Sequence, residues 1–349
     1  MSVTKERESV FEIAKAIGIV LVVYGHVARG VQSAGLPVND TAFSLVDGLI
    51  YSFHMPLFFF VSGIFFMKSL GSRGRMGLIL SKLDTVIYPY VVWSLLQGGF
   101  ELLLSRFTTS SVSATEVLSL LWSPRAQFWF LYILFLVFLL AVLIYRRPSG
   151  GLFWVIFVVT SFLNITAQFA PDVFPIRYLC HYLVYFALGV LTREYLPMLL
   201  RRLNLATFVS GLVSIGLQYL QHGLHHEWFG ESLSFAVGVT SVLFVTCISA
   251  QLAKISWLRP VALLGATSLH IYLMHILIGS GVRIVLQKFL HITNPWIHIS
   301  VGTIVATGLP ALLVLQLKFF SRINLFSPPR LLSAQYWRRR KKAELAQHH

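Results

Sequence analysis

The sequence predicts an all-α integral membrane protein of about ten transmembrane helices with both termini cytoplasmic, on three observations. Apolar residues make up 56% of the 349 positions and charged residues only 12%, about half the charged share of a soluble globular chain. A fold with so few charges cannot cover itself in water, so most of its surface must face lipid. The apolar runs approach the roughly 20 residues that a helix needs to cross a bilayer, and they lack the alternation of a membrane barrel. Finally, the cations segregate to one side. The same composition excludes disorder, coiled coil, collagen and a disulfide scaffold.

In chain order the candidate spans are 11–30, 44–67, 79–104, 127–145, 151–170, 176–194, 204–222, 232–253, 261–287 and 296–319. The third, fifth and ninth have ends blurred by polar residues or length. Lys5, Glu6, Arg7 and Glu8 precede the first run, which contains Glu12 and Lys15 and leads to no small-residue cleavage site. It is therefore expected to be a retained span and not a signal peptide. With the N-terminus inside, 22 of the 28 Lys and Arg fall on inner segments, as cytoplasmic loops require. The formal charge of +15 then reflects topology and contact with the bilayer surface, and no nucleic-acid partner is expected. The Arg338–Lys342 run extends that basic side, as a stop and an anionic-lipid contact. The longest outer loop, 105–126, holds a Ser/Thr-rich stretch. Cys180 and Cys247 form no CxxC pair, and His222, His225, His226 and Glu227 lack a defined ligand spacing, so no metal is expected.

Ionisable residues inside spans are costly and are functional candidates by default. Lys15 and His26 lie 11 residues apart, close to three whole turns. They share one face about 16 Å apart, and Glu12, one turn before Lys15, can pair with it. His54 opens the segment HMPLFFFVSG, in which Pro56 leaves a carbonyl for a polar side chain to satisfy. Asp47, seven residues earlier, shares nearly the same face and could orient or charge His54. Counted from the inner side, His26 and His275 sit about 22 and 21 Å deep and could meet in the bundle interior, with Asn164 at a similar depth. The second inner loop gathers Lys68, Arg73, Arg75 and Lys82 with three glycines, a flexible cationic site able to hold a pyrophosphate or phosphoadenosine. Packing, snorkelling and topology alone explain each feature too. Midplane polar residues and Pro/Gly-broken spans equally suit a transporter or exporter of a glycan or lipid intermediate.

The ordered set of motifs resembles the acyltransferase-3 family of integral membrane acyltransferases. The landmarks are Lys15-x10-His26; His54 to Gly63; Tyr88-Pro89-Tyr90 with Trp93; Trp129-Phe130-Leu131; Phe186-Ala187-Leu188-Gly189; and Ser268-Leu269-x-Ile271-Tyr272-Leu273-x-His275. Among standalone members it looks most like the fucose 4-O-acetylase-like group. One departure stands out: the family's Arg-x-x-Arg before the proline reads Lys82-Leu83-Asp84-Thr85 here.

The resemblance implies a membrane domain over 1–325 with a basic tail at 326–349, in a bacterial inner membrane. It implies transfer of an acyl group, usually acetyl from cytoplasmic acetyl-CoA, to a hydroxyl of a glycan or lipid-linked sugar. In that reading Lys68, Arg73, Arg75 and Lys82 receive the CoA phosphates, and Lys15, paired with Glu12, positions the donor. His26 is the general base. His54 and His275 help as hydrogen-bond donors to the developing oxyanion. Direct transfer and an acyl-imidazole on His26 both stay open.

Overall fold

The computed structural model describes residues 3–103, 113–146, 149–223, 230–316, 324–338 and 340, without the side chains of 3–7 and 121. Among them there is no strand. The helices are α1 (Val3–Ser33), α2 (Asp40–Tyr51), α3 (His54–Lys82), α4 (Tyr88–Leu103), α5 (Ala114–Leu118), α6 (Trp129–Ile144), α7 (Gly150–Ile165), α8 (Ile176–Arg201), α9 (Leu203–Gln218), α10 (Gly230–Leu252), α11 (Val261–Ala266), α12 (Ser268–Ile284) and α13 (Pro295–Gln316). Eight helical tracts among the described residues are long and apolar enough to cross a membrane. One of them, Asp40–Leu103, is 64 residues long and holds the second and third expected spans; the fifth is the shorter Gly150–Ile165. Each of the ten expected segments is thus helical over most of its described residues.

The departures from the expected boundaries have local causes. The second span divides between α2 and α3, because Pro56 lacks the N–H that would carry the helix across. Asn39 starts α2 by accepting a hydrogen bond from the Ala42 N–H, an N-cap. Within α3, Gly74 sits at φ 66° and breaks the helix between Arg73 and Arg75, a left-handed conformation that glycine adopts without penalty. The chain then passes through a π-helical turn at Leu83–Ile87 before α4. The ninth span is α11 plus α12, broken at Thr267, whose hydroxyl donates to the Leu263 carbonyl at 2.8 Å.

α1 is the hub and packs against α3, α10, α11, α12 and α13. Its apolar window is 61% buried, against 17% for α9. α9 instead turns Leu205, Phe208, Leu212 and Ile215 outward, the surface expected to meet lipid. A close backbone approach joins α3 to α8 reciprocally. A Cβ at Gly63 would strike the Phe186 carbonyl, and one at Gly189 would strike the Phe60 carbonyl. Small residues at such positions let helices pack by dispersion where lipid supplies no hydrophobic drive.

The segment expected to be a basic tail, 326–349, is docked over its described part. The Asp84 carboxylate, buried at 8% exposure, accepts hydrogen bonds from the Ser333 hydroxyl at 2.7 Å and from the Ala334 and Gln335 N–H groups at 2.9 and 3.2 Å. Trp93 stacks on Phe326 and donates its indole N–H to the Leu325 carbonyl. The Arg338 guanidinium reaches the Arg73 carbonyl. Residues 339 and 341–349 lie outside the described residues.

Gly189→Leu should destabilise the bundle by at least about 3 kcal/mol, since backbone cannot yield as a side chain can. Thermal unfolding in detergent should show the loss, while Gly216→Leu, which meets nothing within 4 Å, should melt like the parent. Asp84→Ala should free the C-terminal segment at a cost of about 2 kcal/mol or more, read as faster amide exchange across 333–338.

Candidate active site

Two ends of the bundle contribute different chemistry to one line of side chains. At the end carrying the basic residues of α3, a cavity of about 320 Å³ opens between α1, α3, α6 and α12 and the π-helical turn before α4. Lys15 and Lys82 stand on its wall with Ser62, Ser69, Thr85 and Ser268, and Phe58, Phe130 and Tyr272 line its apolar part. Lys15 is held by Glu12 at 2.9 Å, the pair anticipated from their one-turn spacing. Lys82 Nζ lies 4.0 Å over the Phe138 ring, a cation–π contact, and has no carboxylate partner among the described residues. A desolvated cation without a counter-charge favours an anionic ligand.

Beyond Tyr272 the cavity gives way to imidazoles. The Tyr272 ring is 5.8 Å from that of His275, and His275 is 5.1 Å from His26. His26 and His275 therefore do meet in the interior, as their matched depths predict. His54 joins them through Tyr51, whose ring centre is 4.5 Å from His54 and 6.5 Å from His26. Nothing in its own residue type or spacing singles out Tyr51. The usable signal is Gly25, directly before His26: a Cβ there would come within 2.8 Å of the Tyr51 ring, so only glycine lets the ring lie against α1.

The tautomers of two of these histidines follow from their partners. His54 Nδ1 meets the Ile50 carbonyl at 2.8 Å, and His275 Nδ1 meets the Tyr272 carbonyl at 2.6 Å. A carbonyl only accepts, so each Nδ1 carries the hydrogen and each neutral ring keeps its lone pair on Nε2. Both are buried at 1% exposure; in the neutral form each Nε2 is an acceptor, and the donor role anticipated for them calls for the protonated ring. The Ile50 bond also shows what the α2–α3 break needs, a side-chain donor for a helix-end carbonyl.

Asp47 does not reach His54. It forms a two-pronged pair with Arg29, both bonds 2.7 Å, and the Arg29 guanidinium lies 3.4 Å over the Tyr51 ring. The carboxylate is in contact with the histidines only through that chain. Asn164 likewise sits apart, donating to the His181 carbonyl at 2.6 Å. The expected second inner loop is instead helix, the last part of α3 on either side of the Gly74 break; in it Lys68 pairs with Glu8 at 3.0 Å and Arg75 donates to the Arg146 carbonyl at 3.2 Å. Arg73 and Arg75 are exposed at the rim, while Lys82 alone of the four faces the cavity. At the position where the family carries a second arginine, Thr85 lines the cavity and donates its hydroxyl to the Ser81 carbonyl. His225, His226 and Glu227 lie outside the described residues, and among the described residues no group of three His, Cys, Asp or Glu side chains could hold a metal.

Compared with known proteins, residues 9–315 match the model of a family described as an acyltransferase domain, of the acyltransferase-3 type. No curated protein and no solved structure matches the chain.

The tautomer assignment is open to direct measurement. Nitrogen-15 spectra of histidine-labelled protein should show protonated Nδ1 and unprotonated Nε2 for His54 and His275, identified by their loss in His54→Gln and His275→Gln. Protonated Nε2 with bare Nδ1 at either residue would remove its carbonyl bond.

Proposed function

Because the chain belongs to the acyltransferase-3 family and is a membrane acyltransferase, we propose that it moves an acetyl group from cytoplasmic acetyl-CoA to a sugar hydroxyl of a glycan or its lipid-linked precursor. The observation that carries this reading is the ordered line from a cavity with two lysines on its wall, past Tyr272, to His275 and His26. Such a line suits a ligand that is anionic at one end and reactive at the other. The exposed Arg73 and Arg75 and the partly engaged Lys68 would meet the nucleotide phosphates at the rim. Lys82, with Lys15 steadied by Glu12, would draw the phosphate end of the pantetheine arm inward. The apolar wall of Phe58, Phe130 and Tyr272 suits the arm itself and excludes water from the thioester.

In the reaction, the acceptor hydroxyl attacks the thioester carbonyl and its proton passes to His26 as general base. A new C–O ester bond forms, the C–S bond breaks, and the CoA thiolate leaves and takes up the proton. His26 has no hydrogen-bonded partner of its own among the described residues, so its ring is available to the hydroxyl. Adjacent His275, with its lone pair on Nε2, suits the receipt or relay of that proton better than the stabilisation of an oxyanion. His54 is held in place between the Ile50 carbonyl and the Tyr51 ring and keeps the layer polar. The membrane this reading favours is a plasma membrane, of the bacterial inner type.

Purified protein in nanodiscs, given acetyl-CoA and a panel of sugar acceptors, tests the reading. His26→Ala should lower transfer by about 10³-fold, within the span of general-base losses, while the folded protein is retained. Lys82→Gln should raise the acetyl-CoA KM about tenfold, the value of one charge-assisted contact, and Arg75→Ala should do so less. The acceptor KM should stay put in both. Turnover near the parent level in His26→Ala would remove its role. Equal effects on both KM values would remove the CoA assignment. Absence of acetyl-CoA binding and turnover in folded parent would favour transport instead.

A further inference from the structure

The other end of the bundle holds a second cavity, about 290 Å³, near the lower limit of small-molecule sites. It has no part in the acyl-donor route described above. The two cavities approach the histidine layer from opposite sides: Pro56 lines one and Phe58 the other, two residues apart on α3. Tyr51 is shared, lining this second cavity while its ring faces both His54 and His26.

Three polar groups on its wall can accept hydrogen bonds that the protein does not supply. Gln221 donates its amide N–H to the Ser234 hydroxyl at 2.9 Å, which leaves its Oε1 buried without a partner; the Tyr51 hydroxyl is buried and unpartnered too. Glu231 contributes a carboxylate whose ion-pair partner among the described residues, His181 Nδ1, is 3.8 Å away, beyond hydrogen-bond range. Asn164 is already committed to the His181 carbonyl. Tyr182, Tyr185 and Phe235 add aromatic surface.

We propose that this cavity is the acceptor site and that it takes an uncharged sugar unit in preference to an anionic one such as a uronate. The assignment rests on the acyltransferase reading and adds to it a location and a charge preference. An uncharged sugar presents hydroxyls that donate in several directions, as Glu231 and Gln221 Oε1 require, and that either donate to or accept from the Tyr51 hydroxyl, with apolar C–H faces for the aromatic wall. A carboxylate or phosphate on the sugar would instead bring like charge against Glu231 in a partly desolvated site. A hydroxyl projecting past Tyr51 points toward His26, where its proton is to be taken.

The experiment measures binding and turnover separately on the full chain in nanodiscs. Saturation-transfer NMR without acyl donor compares neutral methyl hexopyranosides with the matching methyl hexuronides. Initial rates with acetyl-CoA are then recorded on the same panel. The parent should bind a neutral glycoside at least about tenfold more tightly than its uronide, and Glu231→Gln should weaken that neutral glycoside about tenfold, as for loss of a hydrogen bond to a charged group. Ser234→Val, which narrows the cavity, should weaken it as well and serves if Glu231→Gln does not fold. Uronides bound as well as neutral glycosides by the parent would overturn the charge preference. Unchanged glycoside binding and unchanged acceptor KM in both folded variants would overturn the site. Saturable glycoside binding in a parent that neither binds nor turns over acetyl-CoA would sink the acyltransferase reading while leaving the cavity assignment standing.

Discussion

The bilayer interior offers no water, so every polar group in this bundle must be answered by protein, and the course of α1 is set by that constraint. A helix bearing Glu12, Lys15 and His26 cannot face lipid. It lies at the centre instead, ringed by α3, α10, α11, α12 and α13, while α7 and α9 present their apolar faces outward. Each polar residue on α1 then meets a different answer along its length: Glu12 pairs with Lys15, Lys15 also opens on a cavity, and His26 lies against His275 and near Tyr51.

The neighbouring elements work to keep that line in register. The reciprocal contact of Gly63 and Gly189 brings α3 against α8 at backbone distance, and α3 carries both His54 and the residues at which the two cavities end. At one end of the bundle, Asp47 fixes Arg29 and Arg29 covers the face of Tyr51, so an exposed ion pair holds an aromatic ring in the histidine layer. At the other, Asp84 grips the 333–335 backbone and side chain, and the C-terminal segment lies along α4 beside the cavity wall that Thr85 and Val86 provide. Charge in this protein is used mainly to fix position.

Helix content, the ten segments and the polar stripe on the first span were legible because hydropathy and in-span polarity are local properties of the chain. The Glu12–Lys15 pair was legible for the same reason, being one turn apart on one helix. The meeting of His26 with His275 followed from depth alone, since two imidazoles at one level of a bundle have few other places to go. Depth was a poor guide to direction around the bundle. Asn164 shares that level and yet faces the second cavity, and Asp47 shares a face with His54 but found Arg29 first. The positive-inside rule accounts for Lys68, Arg73 and Arg75 as rim residues and gives no hint that Lys82, in the same stretch, turns inward.

By itself, then, the sequence determined an all-α membrane protein with a polar stripe along its first helix and the acyltransferase-3 landmarks in order, because each of those facts is written in residue type and spacing. Tertiary structure decided the partners. It placed Tyr51 between two histidines, selected the Nδ1–H tautomer of His54 and His275 through the carbonyls they meet, and brought Glu231 to His181 from a helix fifty residues on. It also bound the C-terminal segment to Asp84. None of these has a local signature, since each depends on which helix faces which, and that is fixed by close packing at glycine contacts and by the need to bury every polar group against another.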